Sequence, residues 1–169
     1  AMERLVADGF GTVIIQPTHV MHGSEYDDMM AETGVFADNF ENLTYGRPLL
    51  SLTEDYEAVV EAIINEYSVS QLDEDTALVF MGHGTHLFAN STYAALDYMF
   101  KDKGYSNVFV GTVEGYPEFD SVLKGVQNGG YSKVVMTPLM VVAGDHAEND
   151  MAGDEDTSWK VMFKAEGIE

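Results

Sequence analysis

With five histidines, 29 carboxylates and no cysteine, the metal donors expected in this chain are His, Asp, Glu and backbone oxygen. Imidazole and carboxylate are borderline-to-hard ligands that suit divalent Co, Ni, Fe and Zn. Three such residues stand just beyond short apolar runs. TALVFM leads into Gly82-His83-Gly84-Thr85-His86, and NVFVGT into Val113-Glu114-Gly115-Tyr116-Pro117. KVVMTP leads through LMVVA into Gly144-Asp145-His146. Ligands of open α/β sheets bind outside the carboxyl ends of the strands. If the runs are parallel strands, the loops meet at one edge, and His83, Glu114 and His146 converge. Three protein donors leave coordination positions open for exchange, as catalytic metal sites require. Glycines beside His83 and Glu114 permit tight turns and close approach of a substrate. A single His or Glu at a strand end is ordinarily a polar loop residue. Recurrence at three consecutive strand ends raises these residues above that reading.

The elements that must position them follow from periodicity. Thr12 to Pro17 reads as a short buried strand, and Thr76 to Met81, Asn107 to Thr112 and Lys133 to Pro138 are strand-like. Asp55 to Tyr67 reads as an amphipathic helix with Val59, Val60, Ile63, Ile64 and Tyr67 on one face and Thr53 as N-cap. Ser91 to Lys103 is helix-like, carrying Ala94, Ala95, Leu96, Met99 and Phe100. Pro117 to Gln127 suits a helix with Phe119, Val122, Leu123 and Val126 on one face. Apolar strands separated by helices of this length predict an α/β fold with parallel sheets flanked by helices. Residues 1–68 are expected to form a partial N-terminal α/β unit, and 69–169 a C-terminal unit carrying the metal motifs.

An internal repeat supports two related units. VADGFGTVIIQPTHVMHGSEYDDMM aligns with NGGYSKVVMTPLMVVAGDHAENDM so that Pro17 meets Pro138. Gly9 then meets Gly130, Phe10 meets Tyr131, Gly23 meets Gly144 and Met30 meets Met151. Glu25 falls opposite His146, so the first copy presents a carboxylate at the equivalent place. His19 and His22 lie on that same stretch, and a second site there is the less favoured reading. His86 is either a donor that orients a ligand or a solvated side chain.

Composition excludes several classes. Acidic residues outnumber basic ones by 29 to 8, a net charge of −21, so nucleic acid is a poor partner. Most of that charge reads as a solubilising surface, and the same field attracts divalent cations. No apolar run approaches the roughly 18 residues of a membrane span. Without cysteine there are no disulfides or thiolate sites, which is compatible with the cytoplasm; an exported form is the alternative. The segment Glu148 to Trp159 lacks the EF-hand spacing, and Asp156 or Thr157 is read as a helix cap before Trp159. No phosphate-binding loop or nucleophile elbow is present.

The phrases MGHGTH, TVEGYP and PLMVVAGDHAENDMAGDEDTSW closely resemble the anaerobic sirohydrochlorin cobalt chelatases, as do IIQPTHVMHGSEYDDM and GRPLL. The resemblance runs in order over almost the whole chain. It implies a class II chelatase-like fold, two similar α/β units facing a cleft. It also implies that His83, Glu114 and His146 match the family's metal-binding and catalytic residues. The expected reaction is insertion of Co²⁺ into a sirohydrochlorin-type tetrapyrrole, as in anaerobic cobalamin biosynthesis. Nickel or ferrous iron chelation, or metal and tetrapyrrole binding without turnover, are the alternatives. Arg47 is a candidate donor to substrate carboxylates. At its ends the chain departs from the family pattern. The opening strand with its FGT-type loop and the final strand and helix are missing, which predicts an incomplete copy with an exposed sheet edge and self-association into a homo-oligomer.

Overall fold

A computed structural model describes residues 1–169. Helix α1 (Met2–Ala7) precedes strand β1 (Thr12–Ile15), helix α2 (Ser24–Gly34) and strand β2 (Asn42–Tyr45). Helix α3 (Thr53–Glu66) leads to strand β3 (Thr76–Gly84), helix α4 (Ser91–Asp102) and strand β4 (Val108–Glu114). Helix α5 (Phe119–Asn128), strand β5 (Lys133–Leu139) and helix α6 (Trp159–Ala165) complete the chain. Strands β1 and β2 pair in parallel. The other three form a parallel sheet in the order β4-β3-β5. The fold is thus α/β with parallel sheets flanked by helices, as expected. No helix is long and apolar enough to cross a membrane.

Strand β3 is central because both its faces are apolar. Leu78 and Phe80 pack with Val60 and Ile63 of α3 and with Tyr93, Leu96 and Phe100 of α4. Ala77, Val79 and Met81, on the opposite face, pack with Val122 and Val126 of α5 and with Trp159 and Phe163 of α6. The period-2 alternation of a strand thereby feeds two separate cores. Helix α3 ends just before residue 69, yet its apolar face covers the three-stranded sheet. In α4 the buried stripe is Tyr93, Leu96 and Phe100, while Ala95 is exposed. Tyr93 replaces the smaller alanines of the expected face because it stands one turn before Leu96 and fills the space over Gly82.

Two helix caps differ from expectation. Thr53 lies inside α3, and the Asp55 carboxylate accepts the Leu52 and Ser51 N–H groups at 2.8 and 3.3 Å. At α6 the cap is Ser158, whose Oγ accepts the Val161 N–H, rather than Asp156 or Thr157. Sequence offered several polar residues in a row, and only the chain path selects among them.

The aligned repeat has matching local geometry. Gly9 and Gly130 end α1 and α5 at φ +78° and +76°. The N–H groups of Phe10 and Tyr131 reach back to the carbonyls of Leu5 and Val126, each at 3.2 Å. This is the Schellman closure, for which glycine is the low-cost residue. The Gly23 carbonyl accepts the Tyr26 and Asp27 N–H groups, as the Gly144 carbonyl accepts those of Ala147 and Glu148. The first copy continues as the regular helix α2. The second becomes a single wide π turn, His146–Met151.

Strand β4 does not present a bare ladder. Asp97 Oδ1 accepts the Val110 N–H at 2.9 Å, and Lys101 Nζ donates to the Val108 carbonyl at 2.5 Å. Side chains of α4 thus occupy groups that another strand would use. Burial pushes the Lys101 ammonium below the usual lysine range, and Asp97 pulls against that shift.

Candidate metal centre

The sheet order sets the site. With β3 between β4 and β5, the residue leaving β3 has neighbours on both sides. His83 is the penultimate residue of β3, and Gly84 is in register with Glu114 at the end of β4. Beyond β5 the chain crosses Met140 to Asp145 and enters the π turn at His146. One ligand atom from each of His83, Glu114 and His146 lies within 4.8 Å of the other two, and no other such group exists in the structure. The two imidazoles meet edge to face, 4.7 Å between centroids. Both are half-buried and Glu114 is exposed, so the centre is anchored at its base and open to solvent at one side.

Hydrogen bonds select which nitrogens are available. His83 Nδ1 lies 2.9 Å from the Gly84 carbonyl, which can only accept, so this nitrogen donates. His146 Nδ1 lies 2.5 Å from Asp150 Oδ2, one helical turn onward. With Nδ1 of each ring engaged as a donor, the nitrogen left to a ligand is Nε2, whose lone pair the neutral tautomer presents. A carboxylate behind a ligating imidazole fixes the ring and raises its basicity. Asp150 was not singled out from the sequence; the only signal was its spacing four residues after His146. Replacing Asp150 by alanine is expected to weaken Co²⁺ binding by about 10- to 100-fold, read by isothermal titration. Affinity within twofold of the parent would remove Asp150 from the centre.

A pocket of about 210 Å³ opens beside His83. Met21, Leu139, Val141 and Val142 give it apolar walls, and His19 and Glu25 border it from the loop after β1. Val141 and Val142 are exposed to 56% and 75%, so adjoining apolar side chains face solvent at the pocket's edge. Tyr93 closes the pocket floor, and burial pushes its hydroxyl above the usual phenol range.

The remaining candidates take other places. His86 is exposed and makes no hydrogen bond. His22 pairs with Asp27 at 2.7 Å on the surface. His19 buries an Nδ1 with no partner, yet neither it nor Glu25 joins a metal-ligand cluster. Arg47 does not face a ligand: its Nη2 and Nε grip Asp55 at 2.9 and 3.3 Å, tying the loop after β2 to the start of α3. That bond, then the Leu52 N–H, holds the Asp55 carboxyl below the usual range.

Fold and site together define a class: parallel α/β proteins that gather two imidazoles and a carboxylate at one sheet edge, beside an apolar pocket. The cobalt chelatase (CbiK) family matches this chain over residues 1–169. The sirohydrochlorin cobaltochelatase of Salmonella typhimurium is 40% identical over 168 residues, 99% of this chain and 62% of that protein. Sirohydrochlorin cobaltochelatase CbiKC of Nitratidesulfovibrio vulgaris is 34% identical over 170 residues, 99% of this chain and 60% of that protein. The chain belongs to the cobalt chelatase (CbiK) family. It spans about three fifths of the length of these curated relatives.

Proposed function

We propose that this chain carries the metal-handling part of a sirohydrochlorin cobaltochelatase, which inserts Co²⁺ into a sirohydrochlorin-type tetrapyrrole. The observation that carries the reading is the grouping of His83, Glu114 and His146 within 4.8 Å of one another, with His83 also lining an apolar-walled pocket. In this reading residues 1–68 and 69–169 are two units that both contribute to that pocket. Co²⁺ is a substrate here. The Nε2 atoms of His83 and His146 and the Glu114 carboxylate hold it and leave positions for exchange. The apolar wall of Leu139, Val141 and Val142 seats the macrocycle, excluding water from one face of the ring.

Insertion releases two pyrrole protons for each divalent ion bound, so the site must also accept protons. Glu114 is the exposed member, and from there a proton passes directly to solvent. An imidazole freed as the metal moves to the ring is the other acceptor. Ni²⁺ and Fe²⁺ fit the same nitrogen and oxygen donors, and the preference among the three ions is part of the test.

The test is the absorbance time course of sirohydrochlorin mixed with Co²⁺, Ni²⁺ or Fe²⁺, with and without the protein. Acceleration over the spontaneous rate, greatest with Co²⁺, is expected. Tight Co²⁺ binding without acceleration would replace the reading with metal binding without turnover. The absence of both Co²⁺ binding and acceleration would overturn it.

A further inference from the structure

The hydrogen-bonded ladder between β3 and β4 stops at Gly84 and Glu114, where the two candidate ligands begin. What fixes the loops beyond that point is the side chain of Asn90, at the foot of α4. Its Oδ1 accepts the Thr85 N–H at 2.9 Å, and its Nδ2 donates to the Tyr116 carbonyl. Thr85 lies two residues after His83, and Tyr116 two residues after Glu114. The amide orientation is unambiguous, because Thr85 offers only a donor and Tyr116 only an acceptor. Asn90 is 8% exposed and Thr85 3%, so water does not readily substitute for either bond.

The fit is also steric. Gly115 has φ +147°, and a Cβ there would lie 2.5 Å from Asn90 Oδ1. Gly115 therefore lets the Glu114 loop close down on the carboxamide. The far side of that loop is tied separately, since the Thr112 N–H and Oγ1 both donate to the Pro117 carbonyl, at 2.7 and 3.1 Å. Asn90 is the only side chain bonded to both ligand-bearing loops.

We infer that Asn90 is a positioning residue that sets the distance between His83 and Glu114 by pinning the turns that follow them. This role rests on the reading of His83, Glu114 and His146 as a metal centre. Asn90 touches no substrate; it acts through the two loops. A residue needed only for stability would leave the coordination geometry alone, whereas a positioning residue changes the ligand field.

The test measures Co²⁺ affinity by titration and the visible d–d spectrum of bound Co²⁺. The proteins compared are the parent, Asn90→Ala and Asn90→Asp, each with and without Glu114→Ala. Aspartate keeps the acceptor for Thr85 but sets an oxygen against the Tyr116 carbonyl. Both Asn90 variants are expected to lose about tenfold in affinity, the size typical of residues behind metal ligands, and to shift the d–d bands. In the Glu114→Ala background the loss is expected to shrink to about threefold or less, because coupled residues are non-additive. Unchanged affinity and bands in either folded variant, or an equal loss in both backgrounds, would overturn the role of Asn90 alone. A parent protein that binds no Co²⁺ would overturn the metal-centre reading, and this role with it.

Discussion

His146→Ala is expected to abolish measurable Co²⁺ insertion, a loss of at least about 100-fold, while the protein remains folded. The residue behind a ligand is typically worth 10- to 100-fold, so losing the ligand itself exceeds that range. Two donors, His83 and Glu114, would remain, and the carboxylate of Asp150 would lose the imidazole it orients. Stability should change little. His146 is half-buried at the start of the π turn, and its side chain makes one hydrogen bond, to Asp150, worth about 1 kcal/mol net. The core beneath is built from β3, β4 and the helices, none of which depends on that ring. Insertion rate and urea midpoint together check the prediction. An unchanged rate removes His146 from the mechanism; a collapsed midpoint shows that it serves the fold instead.

Gly84→Ala is expected to damage fold and site together, by about 3 kcal/mol or more in stability. Gly84 has φ +88°, a left-handed conformation costly for alanine. An added Cβ would also lie 2.3 Å from the Glu114 carbonyl oxygen and 2.6 Å from its carbon. Those are backbone atoms held in a parallel ladder and cannot swing aside as a flexible side chain would. Relief requires β3 and β4 to part at the level of His83 and Glu114. Gly104 supplies the control. Its φ is +92° and its Cβ would meet nothing within 4 Å, so Gly104→Ala carries the strain alone, about 1–2 kcal/mol. Urea unfolding and Co²⁺ titration of both variants isolate the collision. Equal stability losses in the two, with Co²⁺ affinity intact in Gly84→Ala, would contradict the close-contact argument.

The amphipathic face of α3, the apolar run of β3 and the stripe of α5 are legible in the sequence because each is a local pattern set by side-chain type and spacing. Helix α2 has no legible apolar period, since only Tyr26 is buried along its length. Helix α1 has no buried residue at all. The repeat was visible as matched glycines, but its divergence into a regular helix and a π turn was not, because that depends on hydrogen bonds past the shared Gly carbonyl.

The sequence by itself determined the alternating α/β order, the acidic surface, the absence of thiolate ligands, and the three candidate residues, each at or after the end of a strand that the sequence marks. Only the tertiary structure decided that β3 lies between β4 and β5, which puts His83 within reach of both Glu114 and His146. It also engaged the Nδ1 atoms of His83 and His146 with Gly84 and Asp150, leaving Nε2 of each ring uncommitted, and paired Arg47 with Asp55. The physical reason is range. Periodicity and turn chemistry act between neighbours in the chain, whereas strand order and loop pinning arise from contacts between residues roughly 25 to 60 positions apart, as from Asn90 to Tyr116 and from His83 to His146.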